Sequence, residues 1–312
     1  MENFFVALNA VLPMFLMIGV GCVARRMKII GDAAVRQANS LCFRVFMSTM
    51  MFYNVYTSEL GRAFNGKMVL FCLLGIFAEF GLGALLIARI EKKPPVRGVM
   101  LQAFFRTNVV LLGIPIAASI FGREQIGEIT ILTAIVVPTI NILSVVALEM
   151  FRGGKVDVPH MLISIAKNPL VWGVLIGLAV ALPGIRLPLV VESAVSSMAS
   201  AATPMALVLL GASLNFSKFG SETRNVAVCL AERLLISPAV FIGLAVALGF
   251  RGVPLVGIML VFAAPVAVAS FTVAVELGGD ADLAGELVLL TTGLSCFTLF
   301  AWIFFLRTVG LI

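Results

Sequence analysis

The sequence predicts an all-α integral membrane protein in which ten transmembrane helices form two inverted five-helix repeats, with helices 4 and 9 broken and crossing. Three observations lead to this prediction: an apolar composition, an alternation of basic and sparsely charged connections, and an internal repeat. Of the 312 residues, 61% are hydrophobic and only 12% are charged, and the mean hydropathy is +1.12. Soluble domains carry charges at about a quarter of their positions, so this composition is typical of a chain surrounded by lipid.

Apolar runs between polar residues predict the ten helices near residues 4–23, 34–57, 66–89, 97–121, 125–150, 168–183, 190–214, 225–249, 253–276 and 284–307. One crossing takes roughly 20 residues plus a short connection, so ten crossings leave no room for a soluble domain. We therefore expect residues 1–150 to form the first repeat, 151–167 a cytoplasmic linker and 168–312 the second repeat.

Basic residues around these helices predict their orientation. Helix 1 follows the acidic Glu2 and precedes Arg25, Arg26 and Lys28, the reverse of a cleavable signal peptide, so its N-terminus is expected to remain outside. Alternate connections then hold 13 of the 22 Lys and Arg residues on the inside and six on the outside. Cytoplasmic loops carry such an excess, which predicts a multi-pass protein of the cell membrane with both termini outside.

The assignment places these basic residues inside: Arg25, Arg26, Lys28, Arg36, Arg89, Lys92, Lys93, Arg97, Arg152, Lys155, Lys167, Lys218 and Arg224. It places these outside: Arg62, Lys67, Arg123, Arg186, Arg251 and Arg307. The three that fall within predicted helices are Arg44, Arg106 and Arg233.

An internal repeat appears at an offset of about 158 residues. Residues 95–101 match 254–260 in Pro, Gly, Met and Leu, and the pairs Ile-Gly at 18–19 and Leu-Thr at 132–133 recur at 176–177 and 290–291. These matches align helices 1, 4 and 5 with helices 6, 9 and 10. Because each half has an odd number of helices, the second half is inverted, an arrangement typical of secondary transporters.

Six prolines lie within predicted helices: Pro13, Pro115, Pro138, Pro204, Pro238 and Pro265. A proline kinks or opens a helix, although membrane helices also tolerate plain kinks. In helix 4, Arg106 and Asn108 precede Gly113 and Pro115, and in helix 9 small residues and Ser270 surround Pro265. We expect both helices to open at these prolines, presenting positive helix N-termini to an anion.

Charges within the predicted helices are costly unless they are paired or hydrated. Arg106 lies roughly 13 Å into helix 4 at 1.5 Å per residue, so it requires a partner or a water-filled cavity. Glu79, near the centre of helix 3, is a candidate partner and a candidate proton carrier; substrate contact by Arg106 is the alternative. Arg44 is expected to reach the membrane surface or pack on neighbouring helices, and Glu232 and Arg233 to be solvated or locally paired.

Several function classes are excluded by composition. The five cysteines are dispersed in or beside apolar runs and are expected to pack as small buried residues, and His160 is a single histidine in a polar loop. These residues cannot assemble a metal site or a nucleophilic triad, so we expect no metal, no cofactor and no enzymatic activity. The net charge of +6 is spread along the chain, which excludes a nucleic-acid partner.

The chain resembles the auxin efflux carrier (PIN-like) family of permeases, as a bacterial member. The resemblance is carried by the Arg-Thr-Asn to Gly-Ile-Pro pattern of residues 106–115, by residues 203–214 and by the ten-helix layout, and it runs the length of the chain. It implies a scaffold of helices 1, 2, 6 and 7, a transport domain of helices 3–5 and 8–10, and an organic anion such as a carboxylate as substrate. It also implies that Asn108 and Asn141 face the substrate; Ser48, where relatives often carry proline, departs from the pattern.

The resulting hypothesis is an elevator-type secondary transporter for malonate, malate or an auxin-like acid. The candidate substrate-binding residues are Arg106, Asn108, Gly113, Pro115, Asn141, Pro265 and Ser270, with Glu79 as the coupling candidate. The alternatives are a sodium-coupled carrier of the bile-acid-transporter fold, a non-transporting membrane receptor or assembly subunit, and a selective pore. A homodimer and coupling to protons or sodium stay open at this point.

Overall fold

The computed structural model describes residues 2–57, 65–122, 125–152, 158–214, 220 and 222–312. Arg62, Arg123, Lys155 and Lys218, used above to assign orientation, lie outside these residues, as do the side chains of Glu2 and His160. Within the described ranges the named secondary-structure elements are all helices. An isolated antiparallel β-bridge pairs Thr107 with Val266. The protein is therefore all-α, as predicted.

The first half contains eight helices: α1 (Glu2–Arg26), α2 (Asp32–Leu41), α3 (Ser48–Tyr56), α4 (Gly66–Ile90), α5 (Pro94–Phe105), α6 (Ile114–Phe121), α7 (Gly127–Arg152) and α8 (Val158–Ala166). A π-helical turn, residues Cys42–Met47, joins α2 to α3, and another, Val109–Gly113, leads into α6. Helix α8 occupies the predicted linker, so the backbone of His160 is helical and not in a loop.

The second half contains seven helices: α9 (Pro169–Ala181), α10 (Leu189–Ser213), α11 (Thr223–Ala231), α12 (Ser237–Ala247), α13 (Gly252–Ala263), α14 (Ala269–Glu276) and α15 (Ala281–Thr308). A π-helical turn, Glu232–Ile236, makes α11 and α12 one continuous rod. In the described ranges each of the ten predicted segments contains helix, and the segments 97–121 and 253–276 are interrupted at residues 106–108 and 264–268.

The surface is that of a membrane protein. Five continuous stretches of the described chain are long and apolar enough to cross a bilayer: Gly66–Ile90, Gly127–Arg152, Leu189–Ser213, Thr223–Ala247 and Ala281–Thr308. Large apolar side chains face outward on them, including Leu82 and Phe297 at 68% and 63% exposure. A water-soluble fold would bury such side chains, so this outer surface fits a hydrocarbon environment.

The π-helical turns explain what the prolines do. Pro115 and Pro238 each lie in the first turn of an α-helix, directly after a π-helical turn. A proline cannot donate to the carbonyl four residues earlier, and the wider π turn accommodates its ring. At Ser48, where the resemblance implies proline, the π turn is also present, and the Ser48 hydroxyl donates to Phe43 O at 3.2 Å. Serine therefore satisfies one carbonyl at this bend.

Glycines allow two pairs of helices to touch backbone to backbone. A Cβ atom on Gly21 of α1 would clash with Val208 O of α10, and one on Gly211 of α10 would clash with Ile18 O of α1. Helices α3 and α9 meet similarly, where a Cβ on Gly177 would lie 2.9 Å from Phe52 O. Small residues at a helix interface permit this approach in membranes. Helices α1, α10, α3 and α9 thus form one closely packed layer.

The polar loop that follows α4 is hydrogen-bonded to the start of α11. The Glu91 carboxylate accepts hydrogen bonds from the backbone N–H groups of Lys92 and Lys93, at 2.6 and 2.8 Å, and from Asn225 Nδ2 at 2.6 Å. Burial alone would raise the pKa of Glu91, but these bonds and the Lys93 charge together hold it below its usual value. The ionised form of Glu91 therefore stabilises this connection.

The core of the fold surrounds α13, in which every residue from Leu255 to Ala263 is buried. Four of the five cysteines are also buried and Cys22 is partly buried, which confirms the packing role predicted for them. The central position of α13 matters because this helix stops in the middle of the bundle, at Ala263.

Candidate functional site

Two interrupted helices meet at the centre of the molecule. Helix α5 ends at Phe105 and the chain is extended until Val109; helix α13 ends at Ala263 and the next helix, α14, begins at Ala269. The two extended segments run antiparallel: Asn108 N donates to Pro265 O at 2.8 Å, and Ala267 N donates to Arg106 O at 3.1 Å. Each break thus satisfies backbone groups that the other leaves without helical partners.

The break in helix 4 is displaced from its predicted position. The chain opens at residues 106–108, whereas Pro115 lies seven positions beyond Asn108, in the first turn of α6. Gly113 has ordinary helical dihedral angles, and a Cβ there would lie 2.9 Å from Val109 Cγ2. Opening at Pro115 was therefore wrong: Gly113 permits close packing, and Pro115 follows a π turn. The prediction of opening at Pro265 is confirmed.

A cavity of ≈ 530 Å³ lies beside the crossing. Its polar wall contains Arg106, Thr107, Asn108, Asn141 and the start of α14; its opposite wall comes from α1, α3 and α10. The lining residues are Pro13, Met14, Met17, Met50, Met51, Tyr53, Asn54, Arg106, Thr107, Asn108, Val110, Leu111, Val137, Ile140, Asn141, Ala199, Ser200, Thr203, Pro204, Leu207, Ala267, Val268 and Ala269. The structure thus brings Arg106, Asn108 and Asn141 together, whereas Gly113, Pro115, Pro265 and Ser270 are not among the lining residues.

Arg106 is 1% exposed and organises the polar wall. Its Nη1 donates to Gln102 Oε1 at 2.6 Å and its Nη2 to Asn141 Oδ1 at 2.7 Å. Because the Asn141 oxygen accepts from Arg106, its Nδ2 points back along α7 and donates to Val137 O at 2.7 Å. Gln102 in turn donates to Ser270 O at 3.1 Å, linking α5 to α14. Arg106 therefore fixes the orientation of the Asn141 amide.

Asn108 and Thr107 provide donors that the protein leaves unused. Asn108 Nδ2 and Thr107 Oγ1 are buried and have no hydrogen-bond partner within the described residues. Buried polar groups are almost always paired, so unpaired donors beside a cavity indicate a place for a ligand acceptor. Ser270 Oγ is also buried and unpaired, but it lies behind the lining.

The electrostatic character of the cavity favours a negatively charged ligand. Two helical N-termini, at Val109 and Ala269, begin at the cavity and direct the positive ends of their dipoles towards it. The Arg106 guanidinium adds a full positive charge, and no Asp or Glu is among the lining residues. The site can therefore hold an anion through N–H groups, amides and one buried cation.

The predicted pair between Arg106 and Glu79 is wrong. Arg106 is held by Gln102 and Asn141, whereas Glu79 accepts a hydrogen bond from Ser237 Oγ and interacts electrostatically with Arg233. The two charges belong to separate clusters: Arg106 lines the cavity, whereas α4, which carries Glu79, contributes no residue to the lining. Glu79 is 6% exposed, as expected for a deeply placed carboxylate.

Arg233 is a residue that sequence reasoning misjudged. It was expected to be solvated or locally paired, but it is 0% exposed and caps the ends of both interrupted helices. Its Nη1 donates to Phe104 O at the end of α5, and its Nη2 and Nε donate to Val261 O and Ala264 O at the end of α13, each at 2.8 Å. The sequence feature that could have indicated this role is that Arg233, like Arg106, is a cation within a predicted helix.

Arg44, the third cation within a predicted helix, was expected to reach the membrane surface or pack against the scaffold and instead forms an ion pair. It pairs with Glu276 of α14 at 3.0 Å while its side chain remains 68% exposed. Glu149 likewise pairs locally, with Arg152, at 3.0 Å.

Comparison with known proteins identifies the family of the chain. Residues 6–303 match the membrane transport protein family. The chain belongs to that family. This match confirms the resemblance to auxin efflux carriers identified from the sequence.

A curated relative of this membrane transport protein gives the same indication. An uncharacterised transporter of Methanothermobacter thermautotrophicus is 22% identical over 298 residues, which cover 94% of this chain and 96% of the relative. Family membership and the apolar helices make the protein a multi-pass membrane transporter, and the small-molecule substrate of such a protein needs a site within the bundle.

Proposed function

We propose that this membrane transport protein is a secondary transporter of small organic anions and that the cavity at the helix crossing is its substrate site. The observation that supports the proposal is the combination of two helix N-termini, a buried Arg106 and the unpaired donors of Asn108 and Thr107, with no carboxylate in the lining. A substrate carboxylate would accept from these donors, and Asn141 would hold Arg106 in position. Such binding uses positive dipole ends in the manner of discontinuous helices in other transporters.

The shape and chemistry of the cavity favour an acid with one carboxylate and an apolar body. The wall facing the crossing contains Met14, Met17, Met50 and Met51, whose flexible thioether side chains accommodate apolar groups of varied shape. Its polar side chains are neutral: Tyr53, Asn54, Ser200 and Thr203. A second carboxylate directed at this wall would lose its hydration without gaining a cation. We therefore expect an indole-type or other apolar acid to bind better than malate or malonate.

Movement in this proposal divides the bundle into two bodies. The layer of α1, α3, α9 and α10, packed through Gly21, Gly211 and Gly177, would be the static scaffold. The helices around the crossing would be the transport domain, and the cavity lies between the two groups. An elevator-type displacement would carry the bound anion across the membrane. The ten spans would form two inverted repeats, and this symmetry would supply alternating access.

The proposed setting is the cytoplasmic membrane, with both chain termini outside, as the distribution of Lys and Arg predicts. In this orientation the polar ends of α7 and α14, where Arg152 pairs with Glu149 and Arg44 with Glu276, lie on the cytoplasmic side. Of the two arginines, Arg152 is one of the residues counted in the cytoplasmic excess.

The test is uptake of radiolabelled indole-type acids, malate and malonate by purified protein in proteoliposomes. The double variant Asn108→Ala, Asn141→Ala should lose at least tenfold of the initial rate, since two buried polar contacts contribute about 1.5 kcal/mol or more. Asn225→Ala is a matched control. This buried amide lies in α11, where it donates to Glu91, and not at the cavity. Unchanged transport in the double variant would contradict the site, and flux far above carrier rates would indicate a pore.

A further inference from the structure

A second polar cluster lies at the crossing, outside the cavity lining. It contains Arg233 and two carboxylates, Glu79 from α4 and Glu232 from the π turn before α12. Both carboxylates interact electrostatically with Arg233, and they also interact with each other. Ser237 Oγ donates to Glu79 Oε1 and completes the cluster. None of these residues lines the cavity, so the proposed anion site does not account for them.

The hydrogen bonds of the cluster leave acceptors unused. Arg233 directs three donors to Phe104 O, Val261 O and Ala264 O. Glu79 Oε2 and Glu232 Oε2 are both buried, and neither has a hydrogen-bond partner within the described residues. Arg233 thus neutralises charge at a distance but donates to neither of these oxygens. An unpaired buried carboxylate oxygen is costly unless it carries a proton or accepts one from a neighbour.

Counting charges gives the same result. Two ionised carboxylates and one guanidinium leave one uncompensated negative charge in a dry, low-dielectric interior, which costs several kcal/mol. The other titratable groups that face the cluster are the thiols of Cys72 on α4 and Cys229 on α11, which supply no positive charge when neutral. Helices α5 and α13 present backbone carbonyls, which add negative potential. One proton bound between the carboxylates makes the cluster neutral.

We infer that Glu79 and Glu232 share one exchangeable proton and that this cluster is the coupling site of the transporter. A hydronium ion at the protein surface supplies the proton: one of its O–H bonds breaks, an O–H bond to a carboxylate oxygen forms, and water is released. When it leaves, the net negative charge attracts the guanidinium and weakens its bonds to Phe104, Val261 and Ala264. The ends of α5 and α13 then lose their shared cap. The coupling role rests on the proposed function; the proton itself does not.

The proton can be detected without any substrate. In infrared difference spectra of the purified protein in lipid nanodiscs, a pH titration should reveal the C=O stretching band of one protonated carboxyl per chain. Glu79→Gln and Glu232→Gln should each abolish this band, because the remaining carboxylate is then neutralised by Arg233 and stays ionised. Glu286→Gln is the control: this carboxylate is 6% exposed but accepts from Gly220 N, away from Arg233.

The outcomes separate shared from individual protonation. Loss of the band in only one of the two single variants would overturn a shared proton, as would its absence from the wild type at every pH. The double variant Glu79→Gln, Glu232→Gln leaves Arg233 without a counter-ion, so it should melt at a lower temperature than either single variant. A double variant as stable as the singles would also overturn the inference.

Coupling is tested separately with an indole-type acid as the probe. Equal-pH exchange of the radiolabelled acid measures the transporter itself, and uptake driven by an imposed pH gradient measures coupling. We expect the gradient to accelerate uptake at least threefold in the wild type and to have no effect in Glu232→Gln, which should retain exchange. Absence of exchange in the wild type would refute the proposed function; exchange with gradient-independent uptake would refute the coupling role alone.

Discussion

Replacing Arg233 by methionine should destabilise the protein more than any other single loss of charge. The side chain is 0% exposed and makes three hydrogen bonds of 2.8 Å to the ends of α5 and α13. Each charge-assisted bond contributes about 1.5–3 kcal/mol before relaxation. Breaking a buried ionic cluster by removing one partner costs about 3–5 kcal/mol in practice. We adopt about 4 kcal/mol for Arg233→Met.

The assay is thermal unfolding of purified protein in one detergent, followed by intrinsic fluorescence. A loss of about 4 kcal/mol corresponds to a decrease in Tm of roughly 6 °C for a chain of 312 residues. Arg233→Lys keeps the charge but cannot direct a planar guanidinium at three carbonyls. Its Tm should therefore lie between those of the wild type and Arg233→Met. Arg44→Met removes a pair whose Arg side chain is 68% exposed and should change Tm by less than about 2 °C.

The reasoning fails if Arg233→Met and Arg44→Met have the same Tm within about 2 °C. Equal stability would mean that water or relaxation of α5 and α13 satisfies the carbonyls without the guanidinium. Arg233 would then be an incidental buried cation and not the common cap of the two interrupted helices.

Three further outcomes follow from other parts of the structure. Gly21→Val should lower Tm by roughly 5 °C or more because its side chain would enter the backbone of α10, whereas Gly19→Val, with open space around it, should leave Tm unchanged. Because the pKa of Glu91 is lowered on folding, its contribution to stability is present above its unfolded pKa and is lost as the pH falls through the folded value. The decrease in Tm from about pH 6 to about pH 3 should therefore be smaller in Glu91→Gln, and an identical pH profile would contradict this. Asn108→Asp would place a carboxylate beside the two helix N-termini and should weaken binding of an indole-type acid at least tenfold in a scintillation proximity assay; unchanged or tighter binding would contradict an anion site at Asn108.

The helices and the class of protein follow from simple physical patterns. Long apolar runs bounded by charges have few alternatives to a helix in lipid, so the ten predicted segments are helical and their ends agree within a few residues. Helix α8 was missed because its nine residues, although mostly apolar, are too few to cross a bilayer. Arg106, Asn108 and Asn141 were found because a cation and amides within apolar helices require an explanation.

The errors concern what packs against what. The break in helix 4 was assigned to Pro115, because proline is the visible helix breaker. The chain opens instead at residues 106–108, where Pro265 O accepts from Asn108 N and Arg106 O accepts from Ala267 N. Glu79 was considered as a partner of Arg106, but it lies beside Arg233 and accepts from Ser237 of α12. The sequence does not indicate which face of α4 meets α12. Both outcomes depend on contacts between residues more than 150 positions apart, which local patterns do not encode.

The cap formed by Arg233 has a consequence for the order in which the chain can be assembled. One of its acceptors, Phe104, is synthesised 129 residues earlier, but Val261 and Ala264 follow it by 28 and 31 residues. When the segment carrying Arg233 first enters the membrane, the end of α13 has not yet been inserted beside it. The guanidinium must therefore remain hydrated or hold other contacts until that helix arrives. Final closure of the bundle is thus a late event during biosynthesis, and truncation before residue 264 leaves an intramembrane cation without its partners.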